Sequence, residues 1–169
     1  MREIFLEGNF TEVTICFIVG YDAIGYGGHV VCSLDLPPIL QDTRELISLL
    51  IHELTLVIHA QYCPAIRDLS LQKETLQETL DLLIQYEGVA VFSAYPYRVA
   101  SGILQNTEGA MLQDYVNTPE KEQMLKDAYC RSQRYIAEGR GMDTILETYF
   151  SARVDHALGF IIFHNMFKQ

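Results

Sequence analysis

Apolar and β-branched residues dominate the first forty positions in two short runs. Residues 12–21 (EVTICFIVGY) and 29–36 (HVVCSLDL) flank a glycine-rich stretch at residues 25–28. Such runs, bounded by glycine, are typical of β-strands. The pattern predicts a short antiparallel β region, formed as a hairpin or as two neighbouring strands with a wide connection. Pro37 and Pro38 end it, because proline cannot continue a strand ladder.

The period of the pattern changes after these prolines. Over residues 43–62 (TRELISLLIHELTLVIHAQY) the apolar side chains recur every three or four positions and cover most sides, which predicts a central, buried helix. Asp42 and Glu45 have the spacing of a capping box at its start, and Pro64 closes the segment.

Three further helices are predicted, over residues 70–94, 119–138 and 148–167. Pro96 is predicted to end the first of them, whereas residues 97–117 are weakly patterned and fit a loop or a short helix. The order of elements predicts an α+β fold in a single domain over residues 1–169. In this domain the β region of residues 1–41 precedes about four helices in residues 42–169.

Charge and composition exclude several classes of protein. The chain has 169 residues with 12 Lys and Arg against 22 Asp and Glu, giving a net charge of -10. This acidic balance argues against nucleic acid or an anionic membrane as a partner, since both bind clustered basic residues. The sequence offers no long apolar run for a membrane span and no signal peptide at its start, so we expect a cytoplasmic protein. A peptide or protein is the expected substrate or partner, and the oligomeric state is left open.

The dipeptide His52-Glu53 stands in the middle of the apolar helix of residues 43–62. Two adjacent polar residues there cost several kcal/mol unless they are hydrogen-bonded or bind a ligand. HE on a helix is the first half of the HExxH motif, in which two histidines bind zinc and the glutamate acts on water. The second histidine belongs at position 56, which is Leu56.

Other histidines are candidates for the missing ligand. His59 lies two helical turns after His52 on a similar face, about 10.5 Å away along the axis, which makes it the leading candidate at the limit of imidazole reach. His156 is an alternative that completes the shell if it faces the site. A separate possibility is a metal-binding pair of His59 and Cys63, which are four residues apart.

A second polar position interrupts the next apolar helix. Glu87 is followed by Gly88, and glycine costs about 1 kcal/mol in a helix relative to alanine. A small residue there permits close approach of another helix, as a metal ligand donated across a helix pair requires. The structural alternative is a packing glycine beside a glutamate paired with arginine. Near the end of the chain, Asp155 is expected to be solvated or paired with a neighbour.

Together these residues resemble the gluzincin type of zinc peptidase, in particular predicted zinc-dependent proteases with an HExxH helix and a downstream EG(L/V)A helix. The matching pieces are the strand over residues 27–35, the His52-Glu53 helix, the EGVA sequence that begins at Glu87, and a small-residue helix beginning at His156.

The resemblance implies a gluzincin-like (zincin) domain in which His52 and Glu87 bind zinc and Glu53 is the general base. His59 is the leading substitute for the ligand absent at Leu56. Two hypotheses follow, a zinc-dependent metallopeptidase or a catalytically inactive domain of the same fold that acts by binding a partner.

Overall fold

The computed structural model describes residues 12–67, 76–140, 145 and 154–167, and within them three strands precede seven helices. The strands are β1 (Thr14–Ile18), β2 (Ala23–Tyr26) and β3 (His29–Ser33). The helices are α1 (Pro37–Gln41), α2 (Arg44–Tyr62), α3 (Pro64–Arg67), α4 (Leu76–Ser101), α5 (Thr107–Asn117), α6 (Pro119–Ala137) and α7 (Val154–Phe167). The predicted α+β class is confirmed.

The sheet is mixed, with strand order β1-β3-β2. β2 and β3 form an antiparallel hairpin in which Tyr26 is paired with His29, so that Gly27 and Gly28 alone make the turn. Both glycines have positive φ (59° and 84°), as the tight two-residue hairpin turn requires. β1 pairs with the other edge of β3 in parallel. The two predicted strands are present as β1 and β3, but their predicted antiparallel pairing is wrong, because the unpredicted strand β2 takes the antiparallel place beside β3.

Helix α2 agrees with the predicted helix of residues 43–62, but its first turn differs from the prediction. The carboxylate of Asp42 accepts a hydrogen bond from the Arg44 backbone N–H at 3.0 Å. Glu45 is buried and forms an ion pair with Arg98, 2.8 Å between Nη2 and Oε2, instead of turning back to the helix start. The predicted capping box is therefore wrong, since tertiary pairing uses its glutamate.

Helix α4 continues through Pro96, so the prediction that this proline ends the helix is wrong. Proline in a helix interior removes one hydrogen bond and costs about 3 kcal/mol. The turn that follows is fixed from outside by the Arg98–Glu45 ion pair and by Arg44, whose Nη1 donates to the Ser101 carbonyl at 2.8 Å. These contacts hold the backbone in the helical form beyond the proline.

The remaining helices follow the sequence pattern closely. The predicted helix of residues 119–138 is confirmed as α6, and the weakly patterned residues 97–117 contain the short helix α5. α7 confirms the later part of the predicted helix of residues 148–167. The predicted starts of α4 and α7 lie outside the described residues.

The chain divides into two compact units. The sheet unit comprises Met1–Pro64 and Ala90–Ala110, and α2 packs there against β2, β3 and α1. The helical unit comprises Ala65–Val89 and Met111–Gln169, and α6 packs there against α7. The single-domain organisation stays a prediction. None of the helices in the described part of the chain is long and apolar enough to cross a membrane.

The buried Arg98–Glu45 pair gives a first prediction. Both side chains are only 6% exposed, Arg98 contacts both oxygens of the Glu45 carboxylate, and Asn106 Nδ2 donates a further hydrogen bond to Oε1 at 2.7 Å. Arg98→Met leaves the Glu45 carboxylate buried without its cation, and we expect a loss of roughly 3–5 kcal/mol in the free energy of unfolding. Urea denaturation measures it. Lys126→Met, which breaks the exposed pair with Glu122, is the control and should cost less than about 1 kcal/mol. An equally small loss in Arg98→Met would contradict the prediction.

Candidate metal centre

Helix α2 carries the His52-Glu53 pair in the sheet unit, where His52 is half-buried and Glu53 is 6% exposed. Strand β2 approaches the helix at Gly25. A Cβ atom at this position would lie 2.5 Å from the Glu53 carbonyl oxygen and 3.2 Å from its Oε2, so only glycine permits the contact. Burial, together with the nearby charge of Glu53, raises the pKa of the Cys32 thiol on β3. The Glu53 carboxylate thus lies close to the sheet.

In the helical unit, the first half of α4 crosses α7 at two glycines. A Cβ atom on Gly159 would meet the Ile84 carbonyl oxygen and lie 2.5 Å from Gly88 Cα, and one on Gly88 would lie 2.6 Å from the Gly159 carbonyl carbon. The two backbones are therefore in direct contact. The expectation that Gly88 permits close approach of another helix is confirmed.

This crossing brings Glu87 and His156 together. Glu87 directly precedes Gly88, and His156 lies almost one turn before Gly159 on α7. His156 Nε2 is 3.1 Å from Glu87 Oε2, and the two side chains are 20% and 16% exposed. A histidine nitrogen and a carboxylate oxygen are thus held side by side at a partly accessible position.

The pair of Glu87 and His156 offers a metal ion two donors within the helical unit, a carboxylate oxygen and an imidazole nitrogen. Both kinds of donor occur in catalytic zinc sites, which have three protein ligands and a fourth position for water or substrate. In a tetrahedral site with bonds of about 2 Å the donors are roughly 3.3 Å apart, close to the spacing of Glu87 and His156. The pair therefore fits two of the ligands of a zinc ion.

Of the three ligands expected from the sequence, Glu87 lies beside His156 in the helical unit, whereas His52 and His59 lie on α2 in the sheet unit. The role of His52 as a ligand stays a prediction. His59 is half-buried, and burial lowers the pKa of its imidazole. Its role as a ligand stays a prediction, as does that of its pair with Cys63. Leu56 is 6% exposed and belongs to the apolar core.

The prediction for Asp155 differs most from the structure. It was expected to be solvated or paired, but its side chain is 2% exposed, and burial raises the pKa of its carboxyl group. The sequence contains one indication that Asp155 is buried. Asp155 and His156 are adjacent polar residues at the start of an apolar helix, the same anomaly that drew attention to His52 and Glu53.

No family model, curated protein or solved structure matches the chain. The gluzincin resemblance stays a prediction that depends on the residues themselves. Its strongest elements are His52-Glu53 on α2 and Glu87-Gly88 on α4.

Proposed function

We propose that this chain is a zinc-dependent hydrolase of peptide bonds, with His52, Glu87 and His156 as zinc ligands and Glu53 as the general base. The observation that carries the proposal is the pairing of His156 Nε2 with Glu87 Oε2 at 3.1 Å, and His52 is added to it from the His52-Glu53 dipeptide of α2. Two histidines and a glutamate leave a coordination position open, which a catalytic site needs and a structural site lacks.

The ligand set differs from HExxH in the source of its second histidine. In that motif both histidines lie on one helix, whereas here α2 supplies only His52, and α7 supplies His156 next to Glu87. The buried Leu56 occupies the place of the motif histidine. Leu56 supplies no donor, and in the proposed site His156 of α7 is the third protein ligand instead.

Glu53 is the general base in this proposal. It adjoins His52 in the chain, and its carboxylate lies near Gly25 of β2. When bound, a zinc ion would polarise the peptide carbonyl and make water a better nucleophile. Glu53 would take the proton from the attacking water and deliver it to the leaving amine, while Glu87 and His156 keep their positions through the glycine contact.

Metal content is the direct test of the site. Protein purified without chelator or histidine tag is expected to contain about one zinc per chain by elemental mass spectrometry, and Glu87→Ala is expected to lose it. Glu78→Ala removes an exposed carboxylate at the start of the same helix and should keep the zinc. A wild-type protein that takes up no zinc at micromolar concentration would overturn the proposal.

Hydrolysis is tested by Glu53→Gln. This substitution removes the base but keeps shape and volume, so we expect cleavage of a quenched-fluorescence peptide library to fall by about 10²- to 10⁴-fold with zinc content unchanged. Glu78→Gln is the matched control and should keep full activity. If the wild-type protein holds zinc but cleaves no peptide, the inactive, partner-binding domain becomes the better description.

A further inference from the structure

Strand β1 leaves one of its edges open. The order β1-β3-β2 places it at the end of the sheet, and among the described residues no strand pairs with its outer edge. Thr14 donates its N–H to the Gly28 carbonyl, so the even-numbered residues of β1 form the hydrogen bonds to β3. Because the bonding groups of a strand alternate in direction, the N–H and C=O groups of Ile15 and Phe17 point away from the sheet.

This open edge has none of the features that usually protect an edge strand. Residues 13–21 contain no charged residue and no proline, and Phe17, Val19 and Tyr21 are 51%, 75% and 65% exposed. β1 pairs with β3 without a gap in register, so it has no bulge. Natural sheets commonly block their edges with lysine, proline or a bulge, because an exposed apolar edge pairs with other strands. The outer edge of β1 is therefore open to a further strand.

The charge of the chain favours a second copy as the source of that strand. Each copy carries a net charge of -10, so two copies repel each other unless they meet at an uncharged surface. Residues 13–21 form such a surface. An acidic chain attracts basic partners, but no carboxylate lies within residues 13–21 to bind one. The edge thus matches an apolar, uncharged strand such as β1 itself.

The register of such a pairing follows from the hydrogen-bonding groups. When two antiparallel β1 strands are centred on Cys16, Phe17 lies opposite the partner's Ile15, and the outward N–H and C=O groups of these residues bond to one another. Aromatic and β-branched side chains directly opposite each other stabilise a sheet. Cys16 is the middle residue of β1 (Thr14–Ile18), so this register also pairs the whole strand.

We propose that the outer edge of β1 is an interface between two copies of this chain, in which the β1 strands pair antiparallel about a two-fold axis at Cys16. The two three-stranded sheets then form one sheet of six strands. The exposed parts of Phe17 and Tyr21 amount to roughly 100 Å² each, whereas a standard interface buries about 800 Å² per partner. The dimer is therefore weak, with a dissociation constant of about 1 to 100 µM.

Cys16 provides a direct test, because the two-fold axis places it opposite its own copy. Residues opposite each other in a non-hydrogen-bonded pair have Cα atoms about 4.5 Å apart, within the range of a disulfide. Mild oxidation with diamide, which takes up the electrons and protons of the two thiols, is expected to link two chains on a non-reducing gel. Cys16→Ser should abolish the link. Cys130→Ser, which removes another exposed cysteine, should keep it.

Sedimentation velocity over a range of protein concentrations measures the dimer without cross-linking. Phe17→Lys is expected to raise the dissociation constant at least about 10-fold, because it removes the Phe17–Ile15 pairs and brings two like charges within about 7–8 Å. Met124→Lys makes the same kind of change at an exposed position of α6 and should leave the dissociation constant unchanged. The melting temperature of each variant, measured at a concentration where the protein is monomeric, checks that it is folded.

A protein that is monomeric at every concentration would overturn the proposal, and slow alkylation of Cys16 in that monomer would show that the edge is covered within the chain. A dimer that persists in Phe17→Lys and is not linked through Cys16 would place the interface elsewhere. Equal linking in Cys16→Ser and in the wild type would show random collision of thiols, and the proposal would fail.

Discussion

Replacing Gly159 with alanine is expected to lower the free energy of unfolding by about 3 kcal/mol, a loss comparable to that expected for Arg98→Met. In an unconstrained helix the same change stabilises by about 1 kcal/mol. Here the new methyl group meets the Ile84 carbonyl oxygen and lies 2.5 Å from Gly88 Cα, so α7 must move away from α4. Overpacking against backbone atoms is costly because no rotamer change relieves it.

Urea denaturation measures the loss in the free energy of unfolding, and further variants test whether the contact between the two glycines causes it. Gly88→Ala enters the same contact from the opposite helix and should cost a similar amount. The double variant should cost clearly less than the sum, because helices already separated by one methyl group accept the second more easily. Asn165→Ala, at an exposed position of α7, should stay within about 0.5 kcal/mol of wild type. An additive double variant would show that the two glycines act independently.

His156→Ala is expected to reduce zinc affinity by two orders of magnitude or more, the largest effect on metal binding that we predict. The change removes one of three protein ligands and leaves Glu87 without its neighbour at 3.1 Å. Two ligands do not make a stable catalytic zinc site. The measurement is chelator competition on metal-free protein, together with the rise in melting temperature on adding zinc, which should disappear in the variant.

His59→Ala is the matched comparison, because it separates the proposed ligand set, which contains His156, from the one that the sequence favours, which contains His59. We expect it to bind zinc as tightly as wild type. His156→Cys should recover much of the affinity lost in His156→Ala, since a thiolate also binds zinc. Loss of zinc in His59→Ala with retention in His156→Ala would reverse the assignment and restore His59 as the third ligand.

The local sequence was sufficient for most of the secondary structure. Helical periodicity located α2 to its last residue, and Thr118 followed by Pro119 marked the start of α6. Both signals lie within a few consecutive residues, so no distant contact is needed to interpret them. The same reasoning selected His52, Glu53 and Glu87, because a polar residue in an apolar helix is anomalous wherever the helix packs.

The incorrect predictions concern features that depend on contacts between residues distant in sequence. β1 pairs in parallel with β3, α4 passes through Pro96, and Glu45 leaves its expected cap for Arg98. Each outcome depends on a partner that is distant in sequence, and a strand direction or an ion pair has no local signature. Local preferences of about 1 to 3 kcal/mol were outweighed there by tertiary contacts.

The sequence by itself therefore determined the α+β class, the main helices and the anomalous polar residues on them. Only the tertiary structure decided that His156 lies against Glu87, and that Asp155 is buried. The reason is geometric. His59 is seven residues from His52 and His156 more than a hundred, yet the glycine contact between α4 and α7 fixes His156 against Glu87, and sequence spacing contains no information about such a crossing.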